Sequence, residues 1–202
     1  MSRPPSKKEM ILSVASHSFA RHGYDRTTLE EIAQECAITK PAIYYHFRDK
    51  QALYEAVLCR YFDLIQERIP AREELEDPVK ALEEYILNFG GFILEQPEFG
   101  AMLARELAQG AQEMPPGCHE RLAVILQRLT AILEAGKSKG IFDAPNPFLI
   151  QVMVVSTLIN YQSTRELRRR IGALMGAENS SVTPMEEILP ALSQKILKGL
   201  TC

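Results

Sequence analysis

Residues 27–53, TTLEEIAQECAITKPAIYYHFRDKQAL, constrain the fold more than any other stretch of the chain. Thr28 and Glu31 have the spacing of a capping box, in which the two residues bond each other's backbone N–H groups and a helix begins. Three apolar positions then give this helix one buried face: Leu29, Ile32 and Ala33. Ala37 and Ile38 make the turn that follows. The pattern therefore predicts two short helices around a tight turn.

A second short helix follows the turn, and its side chains divide into two faces. Thr39 can cap it, and Pro41 is tolerated in its first turn because the N–H groups there have no partner to lose. Ile43 and Phe47 lie four positions apart and point inward. The outward positions are Lys40, Pro41, Tyr44 and Tyr45, with His46 at the helix end.

A short helix that displays a lysine and two tyrosines is a poor core element but a good reader of DNA. Its width suits the major groove, the lysine can reach base edges or phosphates, and tyrosine hydroxyls bond phosphates. The alternative is a plain helical hairpin with two half-exposed tyrosines, which the tyrosine pair alone would favour. The residues around the pair shift the balance toward DNA.

The run IAxxCAITKPAIYYHFxxKxxL, residues 32–53, closely resembles the helix-turn-helix of the TetR family of one-component transcriptional regulators. The family pattern is roughly IA-x-x-[AC]-G-V-[ST]-x-[GP]-x-[LI]-Y-x-HF-x-x-K-x-x-L, and the likeness covers about 45 N-terminal residues. One departure is Ala37, where the family carries a glycine. If this residue is left-handed, alanine costs about 1 kcal/mol, which a folded domain tolerates.

The resemblance implies an all-α fold, with an N-terminal three-helix helix-turn-helix DNA-binding domain and a C-terminal helical bundle for ligand binding and dimerisation. We place these domains at residues 1–48 and 49–202. Lys40 and Pro41 match family positions that read bases. The family's phosphate-contacting positions match Thr28, Thr39, Tyr44, Tyr45, His46 and Lys50.

The rest of the chain also has helical patterns, with no convincing strand. Capping residues followed by apolar periodicity predict helices over residues 49–69, 78–95, 97–110, 118–139 and 147–170, and from 183 onward. Residues 178–183 are predicted as a polar loop, and Pro190 should kink the last helix or delay its start. The pair Gly90-Gly91 costs roughly 2 kcal/mol inside a helix, which close packing, a kink or room for a ligand could each explain.

Two further sites follow from the helical layout. Candidate ligand-pocket residues combine bulk or polarity on faces turned toward the bundle interior: Phe89, Phe92, Met102, Arg105, Glu106, Met153 and Asn160. Taken singly, each apolar one is more typical of plain core, and the two charged ones are more typical of a solvated face. A helix apolar on nearly every side and a last helix with an Ile/Leu stripe predict a dimer interface centred on Val155, Ile159, Leu192 and Ile196. The alternative is that the apolar helix is the central core helix of a monomer.

Composition sets the limits of the functional assignment. Residues 1–50 carry eight Lys and Arg against six Asp and Glu, whereas residues 51–202 carry fifteen against twenty. A basic N-terminal part suits DNA, and an acidic remainder discourages non-specific binding. The four cysteines, Cys36, Cys59, Cys118 and Cys202, lack metal-ligand spacing and fit a reducing cytoplasm. Because of this spacing we predict no metal, and we predict no cofactor either. The apolar part of residues 144–164 is too short to span a membrane, so we predict no membrane partner.

These observations predict a cytoplasmic, homodimeric regulator that binds a palindromic DNA operator and is released from it by a small-molecule effector, acting as a repressor. A DNA-binding structural or division factor without an inducer is the alternative. A helical enzyme is the third class, but no nucleophile–base spacing, phosphate loop or metal motif supports it. The effector, the operator sequence and the regulated genes are not encoded in any recognisable pattern.

Overall fold

The structure is a computed structural model that describes residues 5–71, 75–112, 114–143 and 146–200. These residues form helices and no β-strand, which confirms the predicted all-α class. The helices are α1 (Lys7–His22), α2 (Leu29–Glu35), α3 (Lys40–His46), α4 (Lys50–Arg68), α5 (Pro78–Glu95), α6 (Pro97–Ala108), α7 (Pro116–Ser138), α8 (Pro147–Ser163), α9 (Arg165–Met175), α10 (Glu178–Ser181) and α11 (Met185–Leu200). Within the described ranges, none of them has the length and apolar character needed to cross a membrane.

Local capping explains where most helices begin. Ser6 and Thr28 both form complete capping boxes, with Glu9 and Glu31 as their partners. The carboxylate of Asp49 accepts from Ala52 N at 2.7 Å and so begins α4. Each such bond satisfies a backbone donor that the first helical turn would otherwise leave unpaired. These start signals lie within three residues of the groups they bond, and those at Thr28 and Asp49 were predicted from the sequence.

The chain divides into two compact units that are interleaved in sequence. The first contains Met1–Leu64 and Gln96–Leu122, and the second contains Ile65–Glu95 and Ala123–Cys202. In the first unit α1 packs on α2 and α6, and α2 packs on α3. In the second unit α11 packs on α5 and α8, while α10 packs on α9. The predicted division at residues 48 and 49 concerns function and stays a prediction.

The region after α8 differs from the sequence prediction. The predicted helix over residues 147–170 is wrong, because α8 ends at Ser163 and α9 begins at Arg165. Thr164 provides the reason: its hydroxyl donates to Asn160 O at 2.5 Å, and its backbone leaves the helical region with ψ at 13°. Side-chain bonds of this kind compete with the helix ladder. The predicted loop over residues 178–183 contains the short helix α10, and α11 begins five residues before Pro190.

The two adjacent glycines of α5 have different surroundings. A Cβ atom on Gly90 would lie 2.4 Å from Leu189 Cδ1 and 2.9 Å from Leu158 Cδ1, which belong to α11 and α8. A Cβ atom on Gly91 would meet nothing within 4 Å. Close packing therefore explains Gly90, where α5 approaches the two neighbouring helices, but not Gly91.

Candidate nucleic-acid interface

The predicted reading helix, α3, stands on a buried base. The inward residues Ile43 and Phe47 are 0% and 5% exposed. Leu29, Ile32 and Ala33 of α2 are likewise buried. Apolar burial on one side fixes the orientation of so short a helix, which has too few internal hydrogen bonds to be stable alone. The opposite face of α3 is therefore held outward by the core beneath it.

The turn between α2 and α3 has the geometry that the family's glycine would provide. Ala37 is left-handed, with φ at 51°. Its N–H donates to Gln34 O at 3.0 Å, and Ile38 N donates to Ala33 O at 3.0 Å, which closes the end of α2. The sequence left the conformation of Ala37 open, and the structure shows that it is left-handed. The two hydrogen bonds and the buried residues of α2 hold it against a strain of about 1 kcal/mol.

The outward face of α3 is aromatic and basic. The side chain of Tyr45 is 86% exposed and that of Tyr44 is 47% exposed. The His46 ring meets the Tyr45 ring edge-on, with ring centroids 5.0 Å apart. Pro41 is also exposed, in the first turn of α3. These phenol groups can donate to phosphate oxygens without any rearrangement of the core.

Lys40 is paired with an acidic residue of α2. Its ammonium group donates to the Glu30 carboxylate and lies 5.7 Å from the Tyr44 ring centroid. The hydrogen bond raises the pKa of Lys40 and lowers the pKa of Glu30. Lys40 is therefore charged and oriented along the surface that α2 and α3 share.

The three remaining predicted DNA contacts surround α3. Thr28 is exposed and caps α2, accepting from Glu31 N at 3.2 Å. Thr39 occupies the N-cap position of α3 without a side-chain capping bond. The ammonium group of Lys50 donates to Tyr24 O at 2.9 Å, to Thr27 O at 3.2 Å and to Asp25 O at 3.3 Å. Lys50 thus braces the segment between α1 and α2, a role that its position in the sequence did not indicate.

Arg105 of α6 has a structural role that the sequence did not indicate. Its guanidinium donates to Phe19 O at 2.9 Å, to Ala20 O at 2.5 Å and to Arg21 O at 3.0 Å. A cation at this position bonds carbonyls of the last turn of α1 and suits the negative end of the helix dipole. The partners are 84 to 86 residues away in the chain, so that no local pattern could reveal them.

The predicted ligand-pocket residues fall in both units. Met102, Arg105 and Glu106 line one cleft of the first unit, which has a volume of about 520 Å³. Phe89 and Phe92 are each 1% exposed in the second unit, where they are part of the apolar core. Met153 and Asn160 lie on the exposed side of α8. Of the predicted pocket residues, Met102, Arg105 and Glu106 therefore lie together at one cleft.

The predicted dimer contacts also differ in exposure. Val155 and Ile196 are 8% and 2% exposed in the single chain, so that little of either side chain is left for a partner to cover. Ile159 and Leu192 are half-buried. The most exposed apolar residues of α8 are others: Phe148, Leu149 and Val152, at 67%, 56% and 56%.

The part of the chain that carries the exposed α3 face matches a known family model. The family model of bacterial regulatory proteins of the tetR family matches residues 11–57, a range that contains α2, the turn and α3. Residues 11–57 therefore carry the DNA-binding region of the TetR family. The resemblance that the sequence motif suggested is thereby confirmed.

Two curated relatives of the TetR family align over nearly the whole chain. The transcriptional regulator RutR of Escherichia coli K12 is 24% identical over 195 residues, which cover 96% of this chain and 91% of RutR. The transcriptional repressor NicS of Pseudomonas putida is 24% identical over 202 residues, which cover 96% and 92%. The crystal structure of the TetR-family regulator PfmR of Thermus thermophilus shares the fold, with a TM-score of 0.70 at 22% identity over 93% of this chain and 97% of PfmR.

The chain is a DNA-binding transcriptional regulator with a TetR-family DNA-binding region, as predicted. Its relatives are transcriptional regulators and not enzymes. They favour neither a helical enzyme nor a structural factor without an inducer.

Proposed function

We propose that this TetR-family chain is a cytoplasmic, homodimeric repressor that leaves a palindromic operator when a small effector binds. The observation that carries the DNA-binding part is the α3 face, where two exposed tyrosines and an oriented lysine stand on a fully buried base. The repressor assignment is supported by NicS, a transcriptional repressor that aligns along the whole chain.

Within this proposal the side chains around α3 divide by role. Lys40 and Pro41 read base edges in the major groove, because they occupy the first turn of α3, the end that enters the groove in helix-turn-helix proteins. The phosphate contacts are Thr28, Thr39, Tyr44, Tyr45, His46 and Lys50. Lys50 already donates to three carbonyls of the segment between α1 and α2. Its ammonium group would therefore divide its N–H donors between these carbonyls and a phosphate.

The dimer part of the proposal is supported by the exposed side of α8. Phe148, Leu149 and Val152 expose more than half of their side chains, and Met153 exposes 37%. A contiguous apolar face of this kind marks an interaction surface in a soluble protein. A second copy of the chain is the occupant we propose, because two-fold symmetry presents one α3 to each half of a palindromic site. Ile159 and Leu192 remain the predicted contacts at the edge of this face.

The effector part of the proposal is an equilibrium argument. A ligand can release the operator only through different affinities for two arrangements of the protein. A tenfold loss of operator affinity requires about 1.4 kcal/mol of coupling, which one small ligand can supply.

Selection of bound sequences from a random double-stranded DNA pool tests the DNA-binding and dimer parts together. We expect one enriched palindrome with half-sites about one helical turn apart. Transcription in vitro from a promoter that carries this palindrome should then fall when the protein is added. Enrichment of a single half-site would contradict the symmetric dimer, and increased transcription would contradict the repressor assignment.

A further inference from the structure

A cleft inside the first unit lies between the end of α1, the turn that follows it, and α6. Its volume is about 520 Å³, and its walls include Tyr24, Tyr54, Met102, Arg105 and Glu106. Such a volume lies within the range of pockets that hold small organic molecules. The cleft adjoins the point where α6 caps a helix of the DNA-binding region.

Glu106 is an unusual group for this position. Its residue is 3% exposed, and its Oε1 accepts from the hydroxyl of Tyr54 at 2.5 Å. Its Oε2 is buried and has no hydrogen-bond partner among the residues that the structure describes. Buried carboxylate oxygens are normally paired, because desolvating an unpaired one costs free energy. The free oxygen therefore marks a place where a hydrogen-bond donor is missing.

Tyr54 cannot replace that donor. Burial, with the hydrogen bond to Glu106 as the second cause, raises the pKa of Tyr54, which therefore keeps its proton and donates it to Oε1. Arg105, the neighbour of Glu106 in sequence, directs its guanidinium to three carbonyls of α1. These two donors of the cleft wall thus have partners other than Oε2.

The cleft wall also supplies aromatic surface. The rings of Phe19, Tyr24 and Tyr54 form one group, with centroids 4.9 Å apart for Phe19 and Tyr54 and 5.0 Å apart for Tyr24 and Tyr54. Aromatic rings next to a carboxylate suit organic cations, because the rings attract the charge and cover the apolar part of the ligand.

We propose that this cleft binds a small organic ammonium ion, whose N–H group donates to Glu106 Oε2 while its carbon skeleton lies against the aromatic group. The inference rests on the effector-controlled function proposed above and names a site and a chemical class for it. An ammonium ion on Glu106 would act on α6 one residue from the Arg105 cap of α1, a helix that packs on α2.

Calorimetric titration of the full chain without DNA tests the site directly. The probe is benzylammonium chloride, and benzyl alcohol and sodium benzoate serve as its neutral and anionic counterparts. We expect saturable binding of benzylammonium and at least tenfold weaker binding of the other two. Stronger binding of benzoate would overturn the proposal, since the basic residues of the cleft wall, His22, Arg26 and Arg105, would then define the site. Absence of saturable benzylammonium binding would overturn it as well.

Three variants assign the binding to Glu106. Glu106→Gln keeps the shape and removes the charge, and we expect at least a tenfold loss of benzylammonium affinity with unchanged helical circular dichroism. Glu98→Gln, on the same helix but outside the walls of this cleft, is the matched control and should bind as the original chain does. Tyr54→Phe frees Oε1 and should bind at least as tightly, which keeps the test valid if Glu106→Gln fails to fold. Equal affinity of Glu106→Gln and the original chain would place the cation elsewhere.

Operator titration separates failure of this site from failure of the proposed function. Benzylammonium that binds through Glu106 should weaken operator binding. If it binds without that effect, the cleft is not an effector site and the inference fails in its regulatory part. If a different compound releases the operator while benzylammonium does not bind, the inference fails and the effector-controlled function stands.

Discussion

The two adjacent glycines of α5 allow a packing effect to be measured separately from helix propensity. Gly90→Ala and Gly91→Ala both add one methyl group to the interior of the same helix. At Gly90 the added atom would lie 2.4 Å from Leu189 Cδ1, more than 1 Å inside an ordinary carbon–carbon contact. At Gly91 it would meet nothing within 4 Å. The two substitutions therefore differ in packing alone.

The expected magnitudes follow from these distances. Replacing glycine by alanine in a helix interior stabilises by about 0.5–1 kcal/mol, and both variants gain this. Overpacking costs about 1–3 kcal/mol, and only Gly90→Ala bears it, because Leu158 and Leu189 are 0% and 6% exposed and have little room to move. We expect Gly91→Ala to be more stable than the original chain. Gly90→Ala should be about 1–3 kcal/mol less stable than Gly91→Ala.

Urea unfolding followed by circular dichroism measures the difference between the two variants. All samples need the same protein concentration, because the proposed dimerisation would make the unfolding midpoint depend on it. The transitions should have equal slopes and different midpoints. If the two variants unfold within about 0.5 kcal/mol of each other, α5 does not approach α8 and α11 as closely as described, and the packing explanation of Gly90 is wrong.

The remaining predictions concern DNA binding, capping and assembly. Lys40→Ala should reduce operator affinity more than random-DNA affinity, and equal losses in DNA titrations would make the lysine a phosphate contact. Tyr45→Phe should weaken binding to both DNAs by about 1 kcal/mol, the value of one hydrogen bond. Glu30→Gln should strengthen DNA binding most at low salt, because it removes an anion paired with Lys40; a salt titration without this gain would show that Glu30 lies away from DNA. Arg105→Met should lower the free energy of unfolding by about 1–2 kcal/mol, because the cap of α1 is lost. The urea midpoint should fall with it, and an unchanged midpoint would argue against that cap. Val152→Glu should dissociate the dimer, because an unpaired buried charge costs several kcal/mol; an unchanged sedimentation coefficient would place the interface elsewhere.

The sequence by itself determined the features whose causes lie within a few residues. The capping box at Thr28 and the inward pair of Ile43 and Phe47 were predicted correctly. Each depends on backbone geometry or on helical periodicity, which a single segment carries in its own residues. The family pattern that identified the DNA-binding function is built from such local features.

Only the tertiary structure decided which distant groups meet. Gly90 was open to three explanations until Leu158 and Leu189 were placed against it. Arg105 and Glu106, read from the sequence as pocket residues or a solvated face, have as partners carbonyls of α1 and the hydroxyl of Tyr54. The contacts of Arg105 and Glu106 join residues 52 to 86 positions apart, and their energies depend on how helices pack rather than on any pattern along the chain. Helix packing also leaves one buried oxygen of Glu106 without a donor among the described residues, which the sequence could not have indicated.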